Sequence, residues 1–139
     1  MSMYGRDDET WERLTVAGLD FLIERARIGG ATTYTELNTT LTHRTGIPGF
    51  DFDREDERAA IGRLLGLIVE RNYPATGLMI SALVRYLDAK YAGPGFYALA
   101  TQLGLLGRNP SKTAKMEFWV GQLRALHRHY SHSPNPLAS

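Results

Sequence analysis

The 139-residue chain is long enough for one domain that buries a core without staples. It has no cysteine, which excludes disulfides, thiol nucleophiles and Cys-based zinc sites and fits a reducing cytoplasm. The net charge of +1 is unevenly spread: residues 1–53 carry five arginines against nine acids, whereas residues 108–139 carry five Lys or Arg against Glu117 alone. A polyanion-facing side is one reading of this asymmetry, and attraction between the two ends within the fold is the other. The opening "MSMYGRDDETW" lacks the apolar region of a signal peptide, and no apolar run reaches the length of a membrane span.

Taken in chain order, "DDETWERLTVAGLDFLIERARIGG" predicts a helix from Asp8 to Arg27, with acids in its first turn and arginines in its last. Ala31 to Thr33 is a short extended piece. Thr33 and Glu36 then have the spacing of a capping box, in which Glu36 reaches back to the Thr33 N–H. The helix they open carries the apolar pair Leu37 and Leu41 and ends at Gly46 and Pro48. "GIPGFDFDRED" is a loop, and Asp53 is the expected N-cap of a helix running to Arg71 with Ile61, Leu64, Leu65 and Ile68 as its buried stripe. Pro74 and Gly77 break that pattern. "LMISALVRY" reads as a buried strand, "DAKYAGPG" as a turn-rich tip, and "FYALATQLGLL" as a helix closed by "GRNP". Asn109 and Pro110 are the expected start of a last helix over 111–130, striped with Met116, Trp119, Val120, Leu123 and Leu126. Residues 132–139 read as a frayed, flexible tail, leaving one domain over 1–131.

Helix, short helix, longer helix and hairpin is the order of a winged helix-turn-helix. The expected fold is therefore mostly α with a small β-hairpin, a winged helix-turn-helix with flanking N- and C-terminal helices. Leu37, Leu41, Ile61, Leu65, Leu83, Trp119 and Leu123 should share one core.

From Ala31 to Phe96 the pattern resembles the C-terminal DNA-binding domain of alkylguanine-DNA alkyltransferases and alkyltransferase-like proteins. "TYTEL" matches their T-Y-G-E-L-A motif, with Tyr34 at its tyrosine. "RAAIG", Arg58 to Gly62, looks like their R-A-V-G motif with one extra residue. "ISALV", Ile80 to Val84, falls where P-C-H-R-V would lie, and "AGPGFY" resembles the Gly-rich turn after it. The acceptor cysteine is missing, so alkyl transfer to a thiol cannot occur. The resemblance implies Tyr34 at a phosphate and Arg58 near the base stack of a duplex. The chain is also similar to small uncharacterised bacterial and phage proteins with a "SALV…PGPGF…LA…LG…FW" pattern.

On a helical wheel at about 100° per residue, Ala59, Arg63, Gly66 and Glu70 oppose the apolar stripe, with Gly62 at the edge. Two helical glycines cost roughly 1 kcal/mol each against Ala, so they need a reason. Close approach to a nucleic-acid groove, with Arg63 between them, is one; close packing against the last helix is the other. Tyr34 reads equally as a half-buried tyrosine bonded to backbone. Arg85 and Lys90 would lie on the wing, where phosphate contacts are common. Arg124 and Arg128 supply a basic face to the last helix. His127 and His129 point about 200° apart on a helix and cannot share an ion. "DFDREDE" lacks the Gly and Glu of a calcium loop. No cofactor, metal or catalytic set is expected. The expectation is a non-enzymatic, cytoplasmic double-stranded DNA-binding protein using Tyr34, Arg58, Arg63, Arg85, Lys90, Arg124 and Arg128. A protein–protein module on the same scaffold (an inhibitor, antitoxin-like or adaptor subunit), or a homodimer, is the alternative.

Overall fold

In the computed structural model, which describes residues 3–85 and 94–131, α1 spans Asp8–Arg27. The Asp7 carboxylate caps it by accepting the Thr10 N–H at 2.8 Å. Hydrogen bonding from the Thr10 side chain, and then from this N–H, holds the Asp7 carboxyl below its usual range. Trp11, Leu14, Gly18, Phe21 and Leu22 lie on its buried face. Gly18 has a packing reason: a Cβ there would stand 2.7 Å from Ile68 Cδ1 of the third helix.

β1 (Thr32–Thr33) leads into α2 (Tyr34–Thr45). The Thr33 hydroxyl accepts the Glu36 N–H at 3.1 Å, as expected of the cap. The return half of the box does not form. Glu36 instead takes the Thr32 hydroxyl at 2.6 Å and the Arg25 guanidinium at 2.9 Å, a charge-assisted alternative. After α2 the chain is pinned by Asn38, whose amide donates to the Phe50 carbonyl and accepts its N–H at 2.9 and 2.8 Å. Phe50 is thereby buried in the core, which its place in a polar loop had hidden.

α3 spans Glu55–Thr76. Arg54, not Asp53, occupies its N-cap, without a side-chain bond; Asp53 lies one residue earlier, in a turn where its N–H donates to Asp51 Oδ1 at 3.1 Å. Glu55, Asp56 and Glu57 compensate the dipole. The helix runs through Pro74, five residues past the expected end at Arg71, and stops only where Gly77 takes a φ of +69°. Side chains hold that last stretch together: Asn72 is buried, and Thr76 accepts the Leu78 N–H at 3.1 Å.

The expected strand over 78–86 is corrected to a 3-10 turn, Ile80–Leu83, followed by β2 (Val84–Arg85). Its backbone groups go to side chains instead of a ladder. Met79 N–H donates to Gln122 at 2.8 Å, Ile80 N–H to Asn72 at 3.0 Å, and the Ala82 carbonyl accepts Trp119 Nε1–H at 2.9 Å. A short apolar run signals burial, and burial alone does not select a strand. β2 pairs in parallel with β1, Thr32 opposite Val84 and Thr33 opposite Arg85. This is no hairpin; the expected tip, with Lys90, lies in 86–93, outside the described residues, as does the tail over 132–139.

α4 (Pro94–Gln102) ends at a turn through Gly104, ahead of "GRNP". α5 spans Lys112–Ser131 and is capped by Ser111, whose hydroxyl accepts the Ala114 N–H at 3.0 Å. Asn109 sits at φ +48° and is not the cap. The fold is thus mostly helical with a small two-stranded parallel sheet. Leu37, Leu41, Ile61, Leu65, Leu83 and Trp119 are buried in one core, with Leu123 packed against it half-buried. Among the described residues no helix is long and apolar enough to cross a membrane.

Candidate functional site

The arginines divide into two sets. Arg6 pairs with Glu57, Arg25 with Glu36, Arg44 with Glu24, Arg54 with Asp56 and Arg71 with Glu12. Arg13 donates to the Thr45 carbonyl. Arg58 donates to the Phe52 carbonyl at 2.7 Å, which fixes it near the start of α3. Hydrogen bonding by Glu57 and Glu24 to their arginines holds both carboxyls below the usual range. The side chains of Arg63, Arg85, Arg124 and Arg128, and equally those of Arg27 and Arg108, make no hydrogen bond or ion pair with any described residue. Every ion pair among the described residues joins partners within 6–71, so the basic end is not neutralised by the acidic one.

Arg63 lies in a groove between α1 and α3, about 350 Å³, beside Asp8, Glu12, Glu70 and Arg71. Arg85 is exposed on β2 opposite Thr33, next to Tyr34. Arg124 and Arg128, four apart, are exposed on one side of α5. His127 turns inward, with Nε2 at 2.9 Å from the Gly30 carbonyl, while His129 packs its edge against Tyr130. No three metal-capable side chains come together among the described residues.

Gly62 and Gly66 do not pack tightly against a helix. A Cβ at either would meet no atom within 4 Å. They form one wall of a cavity of about 240 Å³ whose other described lining residues are Tyr34, Leu65, Ser81, Gly95, Phe96, Ala98, Leu99 and Gln102. Tyr34 is half-buried at its edge, and Arg58 does not line it. The two residues that the resemblance implies at the duplex are therefore not brought to one cavity. Ser81 was missed from the sequence, although it is a polar residue inside the apolar run "LMISALV", and a buried polar residue is the informative kind.

No protein-family model, curated protein or solved structure matches the chain.

Proposed function

We propose that the chain is a non-enzymatic, cytoplasmic double-stranded DNA-binding protein, with α2 and α3 acting as the helix-turn-helix of a winged-helix domain. The observation that carries this reading is the division of the arginines. Arg63, Arg85, Arg124 and Arg128 keep their charge available, whereas the arginines that stabilise the fold are already paired. Cations without carboxylate partners on several elements are what a phosphate backbone requires. Arg58, tied to Phe52, is left with a supporting role at the start of α3. Laid over P-C-H-R-V, "ISALV" puts Ser81 at the cysteine's place. Among the described residues no His, Asp, Glu or Lys lines the cavity beside it to activate the hydroxyl, which favours binding over reaction.

A gel-shift with salt titration tests the reading. Duplex binding at low salt should weaken as salt rises, with a log–log slope of about −0.9 per phosphate neutralised. Absence of any duplex binding at low salt would overturn it.

A second reading has its own observation. The α1–α3 groove mixes Asp8, Glu12 and Glu70 with Arg63 and Arg71. Phosphates entering there would meet carboxylates, and a protein surface of mixed charge suits it better. Sedimentation of the purified chain would separate this module or a homodimer from a monomeric DNA binder.

A further inference from the structure

We propose that the turn between α1 and β1 is a wedge for duplex DNA: Ile28 enters a minor groove and parts one base step, while Arg27, Arg124 and Arg128 hold the flanking phosphates. This rests on the DNA reading and names the part of the surface that bends the duplex.

Ile28 is 74% exposed, against 43% or less for the other exposed large apolar side chains among the described residues. Exposure of one apolar residue alone would mean little. What marks Ile28 is how it is held. The Gly30 N–H donates to the Arg25 carbonyl at 2.8 Å and the Gly29 N–H to the Ala26 carbonyl at 3.0 Å, with Gly29 at a φ of +69°. These are the bonds of a Schellman turn. Such turns usually fold an apolar residue at the second place past the cap back onto the helix. Here that place is Gly30, which has no side chain to cover the turn. The Gly30 carbonyl is held in its turn by His127 Nε2 at 2.9 Å. Ile28 therefore stands bare on a stiff mount, and parting stacked bases needs one, since a yielding turn would give way first.

The His127 contact also brings cations to the turn. Arg124 and Arg128 lie about 60° and 100° round α5 from His127, on the same side of it. Arg27 precedes Ile28 in the chain and is exposed. Residues 118–139 contain no Asp or Glu. The carboxylates nearest Ile28 along the chain, Glu24 and Glu36, are taken by Arg44 and Arg25. An apolar tip among arginines is what minor-groove proteins use to insert a side chain between bases and draw the backbone inward. Anionic lipid is the other polyanion with an apolar interior. A whole myristoyl chain gives only marginal membrane binding, and one isoleucine has far fewer carbons. A single side chain is enough for one base step.

A short duplex with a central TA step, which kinks easily, and a dye at each end reports bending by energy transfer. The wild-type chain should bend it by about 20–90°. Ile28→Ala should keep the melting temperature and the salt slope of binding, since no charge is lost, and should remove most of the bend. Arg27→Ala should flatten the log–log salt slope by about 0.9. A duplex that is bound but stays straight, or that bends equally with Ile28→Ala, would overturn the wedge and leave the DNA reading standing. No duplex binding at low salt would overturn both. An unbent duplex together with Ile28-dependent binding to phosphatidylcholine vesicles containing phosphatidylserine would overturn the wedge in favour of a lipid surface.

Discussion

The side-chain oxygen of Asn72 accepts the Ile80 backbone N–H at 3.0 Å, across the turn that joins α3 to the 3-10 segment. The Asn72 amide donates to the Thr76 hydroxyl at 3.1 Å and to the Tyr130 hydroxyl at 3.3 Å. One buried side chain thus ties α3, the Ser81 turn and α5 together. Asn72→Ala leaves the Ile80 N–H buried and unpaired and should cost about 1–3 kcal/mol. Urea melts measure this, and a loss under about half a kcal/mol would show that water replaces the amide without penalty.

Arg6 and Glu57 make a two-pronged pair at 2.9 and 3.0 Å, with both side chains nearly buried, and Arg6 stacks 4.2 Å from the Phe50 ring centre. The carboxyl of Glu57 is held low chiefly by this hydrogen bond. A carboxyl lowered by folding stabilises the fold above its unfolded value and stops doing so as pH falls through the folded one. Arg6→Gln should therefore cost about 1.5–3 kcal/mol at neutral pH. The cost should shrink steadily as pH drops below about 4, the ordinary range of a glutamate. Parallel stability–pH curves for the two proteins, from urea midpoints, would refute the assignment.

Two glycine substitutions should differ in sign. Gly62→Ala adds a methyl to open space on an exposed helix and should stabilise by up to about 1 kcal/mol. Gly18→Ala drives its Cβ to 2.7 Å from Ile68 Cδ1. Overpacking of about 1–3 kcal/mol should exceed the propensity gain there. Thermal melts on both variants decide it. A stabilised Gly18→Ala would mean that Ile68 changes rotamer at no cost.

These positions show what was legible in the sequence. The helices and the core stripes were, because Leu37, Leu41, Ile61 and Leu65 repeat at helical spacing and their burial follows. The tight helix contact was not: it falls at Gly18, inside an unremarkable stripe, and not at the conspicuous Gly62 and Gly66. The turn at Ile80–Leu83 was hidden because the Ile80 N–H and that of Met79 just before it are satisfied by Asn72 and Gln122, eight and 43 residues away in sequence. No local pattern encodes such distant partners. The candidate arginines could be named by charge, but only the fold separates Arg58, held by Phe52, from Arg63, Arg85, Arg124 and Arg128.

The two functional readings part at α5. Trp119 is buried and donates to the Ala82 carbonyl at 2.9 Å, so Trp119→Ala should unfold the chain by about 3–5 kcal/mol and reports nothing about partners. Surface residues are the ones to change. If phosphates lie along α5, Arg124→Ala with Arg128→Ala should leave the melting temperature unchanged. The log–log salt slope should flatten by about two units, since each lost phosphate contact is worth about 0.9. Sequence preference should stay the same, because these side chains touch backbone and not base edges. If α5 instead meets a protein or a second copy, its exposed apolar residue Met116, 39% accessible, lies at the contact. Met116→Glu should then dissociate the assembly in sedimentation while the double arginine variant remains associated. Duplex binding at low salt with the wild-type slope in the double arginine variant would remove α5 from the DNA surface.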